Sequence, residues 1–462
     1  MIDIFPGLQD NIIVNFTSFD YRYCLLPYGH QQYANDLDSY QDRMHTELKA
    51  RVSMLLQKGN IPMAELLLRT HLEKQPSDHE AYFQLGRIAA AIKLPQFALQ
   101  YFNESIRLAP NWQPPLDALK LANKHLAESQ AIDQTKSEQN KLVENFILIK
   151  AWGYGFWSDV SHVLSQLLVA ELTGRTPVVH WGTNSLFGDG TSANAFEFYF
   201  EPVSKAGITD LQNEEFDIWP PKWNRANLTK PEINKWSGPN SRVSSLYFLG
   251  RKERVVVSDF FTSVVDLQPW IPSEHHLYGL TVDELWMYLV RQHLHPKKEV
   301  VDAVDRFYEE HIVSPDFLAV HIRGSDKTGE QMWYLDDVNR QYKAIVDRHL
   351  SIGNFRQIFL LTDDTRILDY FKQIYGEKII TTDCQRTGST KGVHYLALQD
   401  RRKLGIEVMV DVYLAARARI FIGNGLSNPS RFVRYIKDWP EDAAILLGTN
   451  LFHKRNEFIH NW

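Results

Sequence analysis

Phe317-Leu-Ala-Val-His-Ile-Arg-Gly-Ser-Asp-Lys-Thr-Gly-Glu330 opens as a short apolar run and breaks at once into a polar, glycine-punctuated loop. A buried parallel strand ends this way, because both of its faces are covered and polar residues begin only where the sheet edge opens. The pattern returns twice. Gln357-Ile-Phe-Leu-Leu361 runs into Thr362-Asp363-Asp364, and Arg419-Ile-Phe-Ile422 runs into Gly423-Asn-Gly-Leu-Ser-Asn-Pro-Ser-Arg431. Phe146-Ile-Leu-Ile149, Pro177-Val-Val-His180, Arg254-Val-Val-Val257 and Lys378-Ile-Ile380 are further short strands, separated by helical stretches. Such alternation predicts an α/β fold with parallel sheets and crossover helices. Residues 280–312 read as helix with Thr281 as a cap, and 200–250 as loop-rich. Two Rossmann-like domains are expected, 141–300 and 301–462.

Residues 41–140 have a different texture. Ala64 returns as Ala98, Leu72 as Ile106 and Pro76 as Pro110, each pair 34 residues apart, the period of the tetratricopeptide helix–turn–helix repeat. Ala81, Leu85, Gly86 and Ala89 fall where the first helix of such a repeat places small and apolar residues. A plain pair of helical hairpins is the alternative. Residues 128–141 carry few large apolar groups and read as a linker or exposed helix. Residues 1–40 receive no role.

The whole chain has 462 residues, 44% hydrophobic and 23% charged, with a formal net charge of -6. This is a multidomain globular composition with no general attraction for nucleic acid or anionic membrane, so a polyanion has to be held by a local site. Cys24 and Cys384 are too few and too far apart for a disulfide framework or a thiolate zinc site. Neither a signal peptide nor a membrane-spanning run is visible. A cytoplasmic protein is expected.

In an open parallel sheet, ligands bind beyond the carboxyl ends of the strands. The third polar strand end is a strand, a glycine turn and a helix start capped by Ser427 or Asn428, a geometry that presents backbone N–H groups to phosphate. Arg323 and Lys327 add cations, and arginine suits bidentate phosphate contact. Singly, His321-x-Arg323 is an ion-paired strand end, Asp363-Asp364 a helix cap and Gly423-Asn-Gly a turn; together they predict a diphosphate site. Gly388-Ser-Thr-Lys-Gly392 lacks P-loop spacing, and no Gly-x-Ser-x-Gly or His-Glu-x-x-His occurs. His275-His276 and His293-Leu-His295 lack companion ligands at zinc spacing and read as surface or helix-end residues. Asp36-Leu-Asp38 lies ahead of the repeats and is taken as chance. No metal is expected.

The carboxyl half resembles the fucosyltransferase superfamily of the α1,6-fucosyltransferases, the nodulation fucosyltransferases and the protein O-fucosyltransferases. Val320-His-Ile-Arg-Gly-Ser-Asp-Lys327 is similar to its first motif, whose arginine holds the β-phosphate of GDP-fucose. Leu360-Leu-Thr-Asp-Asp364 is similar to the second. Gly405-Ile-Glu-Val-Met-Val-Asp411 with Ile422-Gly-Asn-Gly-Leu-Ser-Asn-Pro-Ser-Arg431 is similar to the third, where an aspartate meets guanine and hydroxyl and backbone groups meet the diphosphate. Gly153-Tyr154-Gly155 and His162 resemble the first strand-to-helix turn of the α1,6 enzymes.

The resemblance implies a GT-B fold, with 141–300 as the acceptor-side domain and 301–462 as the GDP-sugar-binding domain, and inverting, metal-independent transfer of fucose from GDP-fucose to a hydroxyl of a glycan, peptide or protein. Donor contacts would come from Gly153, Tyr154, Gly155, His162, His321, Arg323, Lys327, Asp363, Asp364, Asp411, Ser427, Asn428, Ser430 and Arg431. Glu330, Arg323 and Asp326 would carry catalysis, with Glu330 as general base and Asp326 competing for that role. Two departures stand out. Gly324 occupies the place of a second arginine found in several α1,6 enzymes, and Glu330 lies one residue nearer than their acidic residue. The alternatives are transfer of another GDP-sugar, or an adaptor that binds proteins through the repeats; an adaptor has no need of His321, Arg323, Asp326, Lys327, Asp411 and Ser427 together.

Overall fold

Short β-branched runs buried on both faces need a parallel neighbour on each side and a helix above and below. The computed structural model shows that arrangement twice. It describes residues 37–58, 61–92, 94–139, 144–183, 185–191, 193–230, 246–258, 262–325, 335–389, 392–393 and 400–448. The chain divides into two compact units, residues 1–142 and 143–462.

The first unit is helical: α1 Leu37–Gln57, α2 Ile61–Lys74, α3 His79–Ala91, α4 Pro95–Leu108 and α5 Gln113–Gln139. Helices α2 and α4 each have 14 residues and begin 34 positions apart, and Ala64 and Ala98 are both fully buried. Asp78 starts α3 by accepting from the N–H groups of Glu80 at 3.0 Å and Ala81 at 3.1 Å, which satisfies two donors that helix geometry leaves open. The stretch from residue 128 continues α5 as far as Gln139.

In the second unit, β1 Phe146–Lys150 leads to α6 Phe156–Thr173, β2 Thr176–His180, β3 Ile218–Trp219, α7 Leu246–Leu249, β4 Val255–Ser258, α8 Val264–Leu267, α9 Val282–His293 and α10 Lys298–His311. The strands form a parallel sheet in the order β2-β1-β4-β3, with Leu148 opposite both Val178 and Val257. Thr281 caps α9, as expected from sequence, and does so in a reciprocal box with Glu284. A second parallel sheet follows, from β5 Leu318–His321, α11 Leu335–Ile352, β6 Ile358–Leu361, α12 Thr365–Tyr375, β7 Ile379–Ile380, α13 Arg401–Ala416, β8 Ile420–Asn424, α14 Asn428–Ile436 and β9 Ala444–Leu447. Its order is β7-β6-β5-β8-β9.

All seven expected strands form. Two more, β3 and β9, were not expected: β3 is only two residues long inside the loop-rich segment, and β9 is a half-buried edge strand. One hydrophobic core runs through both sheets; Trp157 of α6 packs on Phe432 of α14 with ring centroids 4.4 Å apart. Among the described residues, no helix is long and apolar enough to cross a membrane.

Candidate active site

The order β6-β5-β8 places the three polar strand ends side by side. At the end of β5 the chain turns sharply, and the carboxylates at the end of β6 hold that turn. Asp363 accepts from Gly324 N–H at 3.0 Å and pairs with Arg323 Nε at 3.1 Å; the Ser325 hydroxyl also donates to it. Asp364 accepts from Ser325 N–H at 3.0 Å, caps α12 through Arg366 N–H at 2.9 Å and pairs with the Arg366 side chain at 2.6 Å. Ser325 is held at φ 39, a left-handed conformation that non-glycine residues adopt only where surrounding contacts enforce it. The two aspartates thus aim Arg323.

From β8, Ser430 in the first turn of α14 reaches back across the sheet. Its hydroxyl lies 2.6 Å from His321 Nδ1 and accepts from Asn424 N–H at 2.8 Å. His321 is buried beside Arg323, and both effects push its pKa down to about 4, so the imidazole is neutral and rigidly placed at physiological pH. Ser427 is the buried N-cap residue of α14, and its side chain makes no cap hydrogen bond. Arg431, also buried, donates to Asn428 Oδ1; desolvation lowers its pKa to about 9. It remains a cation at neutral pH, one turn inside a helix N-terminus that already favours anions.

The first sheet meets this point. Asn428 Nδ2 donates to Ser158 Oγ at 2.5 Å, and Ser158 lies in the first turn of α6. The N-termini of α6 and α14 therefore converge. The turn before α6 makes its own contacts: Gly153, at φ 80, and Tyr154 direct their N–H groups to Asp159 Oδ1 at 2.8 and 3.2 Å. Tyr154 lies against Trp152 with ring centroids 4.5 Å apart, and Gly155 is the N-cap residue of α6. His162 is completely enclosed within that helix's packing. Ser158 and Asp159 were not picked out from sequence, where they read as ordinary first-turn residues.

Asp411, on α13, lies beneath the segment after β7. Thr382 Oγ1 donates to Asp411 Oδ1 at 2.5 Å. Arg386 holds that segment through the carbonyls of Thr382 at 2.8 Å, Cys384 at 3.1 Å and Thr362 at 3.1 Å. Burial dominates the Asp411 carboxyl and pushes its pKa up to about 6, with Thr382 and Arg386 opposing. The same burial, with Asp411 nearby, raises the Cys384 thiol. Thr382 and Arg386 were missed from sequence, because only the packing of α13 brings residue 411 beside them. Asp326, Lys327 and Glu330 lie outside the described residues.

No protein-family model matches the sequence. Solved fucosyltransferases overlap it loosely. The NodZ α1,6-fucosyltransferase soaked with GDP-fucose aligns at TM-score 0.42 and 18% identity over 64% of this chain and 93% of that one. POFUT1 in complex with GDP-fucose aligns at 0.37 and 13%, over 66% and 98%. In sequence, nodulation protein Z of Bradyrhizobium diazoefficiens is 23% identical over 299 residues, which cover 61% of this chain and 76% of that protein. Nodulation protein Z of Sinorhizobium fredii is 25% identical over 275 residues, covering 56% and 81%. In sequence the chain is thus similar to nodulation fucosyltransferases at 23–25% identity over a little more than half of its length.

Gly324 has a local physical cause. A Cβ at 324 would sit 2.4 Å from Asp364 Cβ and 2.5 Å from Asp364 Oδ2, so the clamp on Ser325 leaves no room for a side chain, and none for a second arginine. Gly324→Ala is expected to destabilise the fold by about 1–3 kcal/mol, the usual cost of overpacking a rigid site. Denaturant unfolding checks this, and a variant as stable as the wild type would contradict the packing.

Proposed function

We propose that this protein is a member of the fucosyltransferase superfamily: an inverting, metal-independent enzyme of GT-B architecture that transfers fucose from GDP-fucose to a hydroxyl of a glycan, peptide or protein acceptor. The observation that carries the proposal is the convergence, beyond the carboxyl ends of β5 and β8, of the clamped Arg323, the N-terminus of α14 with Ser427 and buried Arg431, and the N-terminus of α6. Dianionic diphosphate is the leaving group that such a site stabilises. Arg323 and Lys327 take up the charge that develops on the β-phosphate, while Ser427, Asn428 and the first turn of α14 position it. The acceptor oxygen forms the new bond to the anomeric carbon, the bond from that carbon to the phosphate oxygen breaks, and the electron pair leaves with GDP. The acceptor proton passes to Glu330. The donor is fucose rather than another GDP-sugar on the strength of the family relation, and a screen of GDP-sugars decides between them.

Asp411 supplies the nucleotide preference in this proposal: its carboxylate accepts from guanine N1–H and N2–H, a donor pair that uracil and adenine do not present. GDP should raise the melting temperature at a concentration where UDP and ADP do not, and equal stabilisation by all three would sink the assignment. With a pKa near 6, the carboxylate is ionised at pH 7.5 and protonated below pH 6. GDP affinity should therefore hold above pH 7 and fall below pH 6, approaching ten-fold per pH unit. Stability follows the opposite sign. A folded-state pKa above the unfolded value means that the protonated carboxyl favours the fold, a contribution present at low pH and lost as pH rises through about 6. Asp411→Asn should flatten the pH dependence of GDP binding.

The 34-residue helical period of the first unit supports a tetratricopeptide-like module for a protein or peptide acceptor, because stacked helix pairs form a concave surface suited to extended chains. Removing residues 1–140 should spare GDP binding and abolish transfer to the natural acceptor. A truncated chain that fails to fold would assign the repeats a packing role instead.

A further inference from the structure

His275 and His276, expected from sequence to lack companion ligands, have one. The fold brings Glu171, in the last turn of α6, against them: Glu171 Oε1 lies 3.1 Å from His276 Nε2 and 4.0 Å from His275 Nε2. One ligand atom from each of the three residues falls within 4.8 Å of the others. We propose that Glu171, His275 and His276 form a zinc-class divalent cation site that pins the carboxyl-terminal end of α6 to the segment before α9.

Four observations carry this. Nitrogen and oxygen ligands around a tetrahedral zinc, at metal distances of about 2.0–2.1 Å, stand about 3.3 Å apart, and the two nitrogen-to-oxygen separations bracket that spacing. Two imidazoles and a carboxylate are a borderline donor set that suits Zn²⁺, with Co²⁺ and Ni²⁺ as surrogates, rather than Ca²⁺ or Mg²⁺. Tyr288 of α9 donates its hydroxyl to Glu171 Oε1 at 3.1 Å, an orienting contact of the kind that second-layer partners make to metal-bound carboxylates. Finally, Glu171 sits at a helix C-terminus, where the backbone carbonyls favour a positive charge and a lone carboxylate is poorly placed.

A cation would take the place of the direct 3.1 Å contact between His276 Nε2 and Glu171. Loading also requires a ring that ligates through Nε2 to carry its proton on Nδ1. His275 Nδ1 meets Leu277 N–H at 3.3 Å, a long contact that loading gives up. The His276 side chain is 61% exposed, which leaves a path from solvent. From Phe156 to Glu171 the helix advances about 22 Å at 1.5 Å per residue, so the site lies at the far end of α6 from Ser158 and the crevice. The cation's role is to staple the fold, and it takes no part in sugar transfer.

The test uses the full chain, stripped with EDTA and titrated with zinc chloride alone. A single saturable site of micromolar or tighter affinity is expected, with a rise in melting temperature on loading. Glu171→Gln and His276→Ala should each weaken that site at least ten-fold, and Co²⁺ should develop tetrahedral visible bands that His276→Ala removes. Because His276 is exposed, its variant folds and decides the matter if Glu171→Gln does not. EDTA should lower the melting temperature while turnover at room temperature stays unchanged. Absence of saturable zinc binding, equal affinity in wild type and His276→Ala, or loss of turnover in EDTA without a change in melting temperature would each overturn the proposal.

Discussion

Replacing Arg323 with lysine is expected to lower turnover by about ten-fold to a thousand-fold, the range seen when one transition-state donor is removed, although the charge is kept. Arginine presents a planar fork of donors, and lysine a single mobile point charge. The structure adds a reason for the fork's direction. Arg323 Nε is held at 3.1 Å from Asp363, and Asp363 is itself fixed by Gly324 N–H and the Ser325 hydroxyl, so the guanidinium plane is set before any ligand arrives. A lysine cannot be aimed by that carboxylate and still extend to the phosphate. The backbone clamp does not use the Arg323 side chain, so Arg323→Lys should melt with the wild type. Steady-state turnover with GDP-fucose, beside GDP affinity by calorimetry, checks the prediction; wild-type turnover would remove Arg323 from the phosphate site.

The features legible in the sequence are those that depend on neighbours along the chain. Strand ends, the Thr281 cap and the start of α14 are local patterns, and the structure forms each of them. What could not be read is set by sheet order. Ser430 lies 109 positions from His321, yet the β5–β8 pairing puts their side chains at 2.6 Å; no spacing rule announces that. Asp363 and Asp364 show the same limit. Their sequence is that of a helix cap, and one of them is a cap, but their greater effect is to shape the Arg323 turn on the neighbouring strand. Thr382 and Arg386 became visible only when α13 packed beneath them. His275 and His276 were discounted for lack of a partner because Glu171 precedes them by about a hundred residues and arrives through the packing of α6 against α9.

Glu330→Gln is expected to cost about 10² to 10⁴ in transfer rate, the usual contribution of a general base, while leaving GDP affinity unchanged. The reason lies in sequence and charge. Glu330 follows Arg323 by seven positions, beyond Ser325, whose buried turn is fixed by Asp363 and Asp364. Asp326, its rival, stands between Arg323 and Lys327 in sequence, and neighbouring cations favour an ionised, weakly basic carboxylate. A group so stabilised orients the loop better than it accepts a proton. Glutamine keeps the size and hydrogen bonding of Glu330 but cannot take a proton, so the loss should appear in turnover and not in donor binding. Measuring both on one preparation separates a base from a structural residue: loss of both would mark Glu330 as part of the loop's architecture. Near-normal transfer would pass the role to Asp326, or to a β-phosphate oxygen that takes the acceptor's proton as GDP departs.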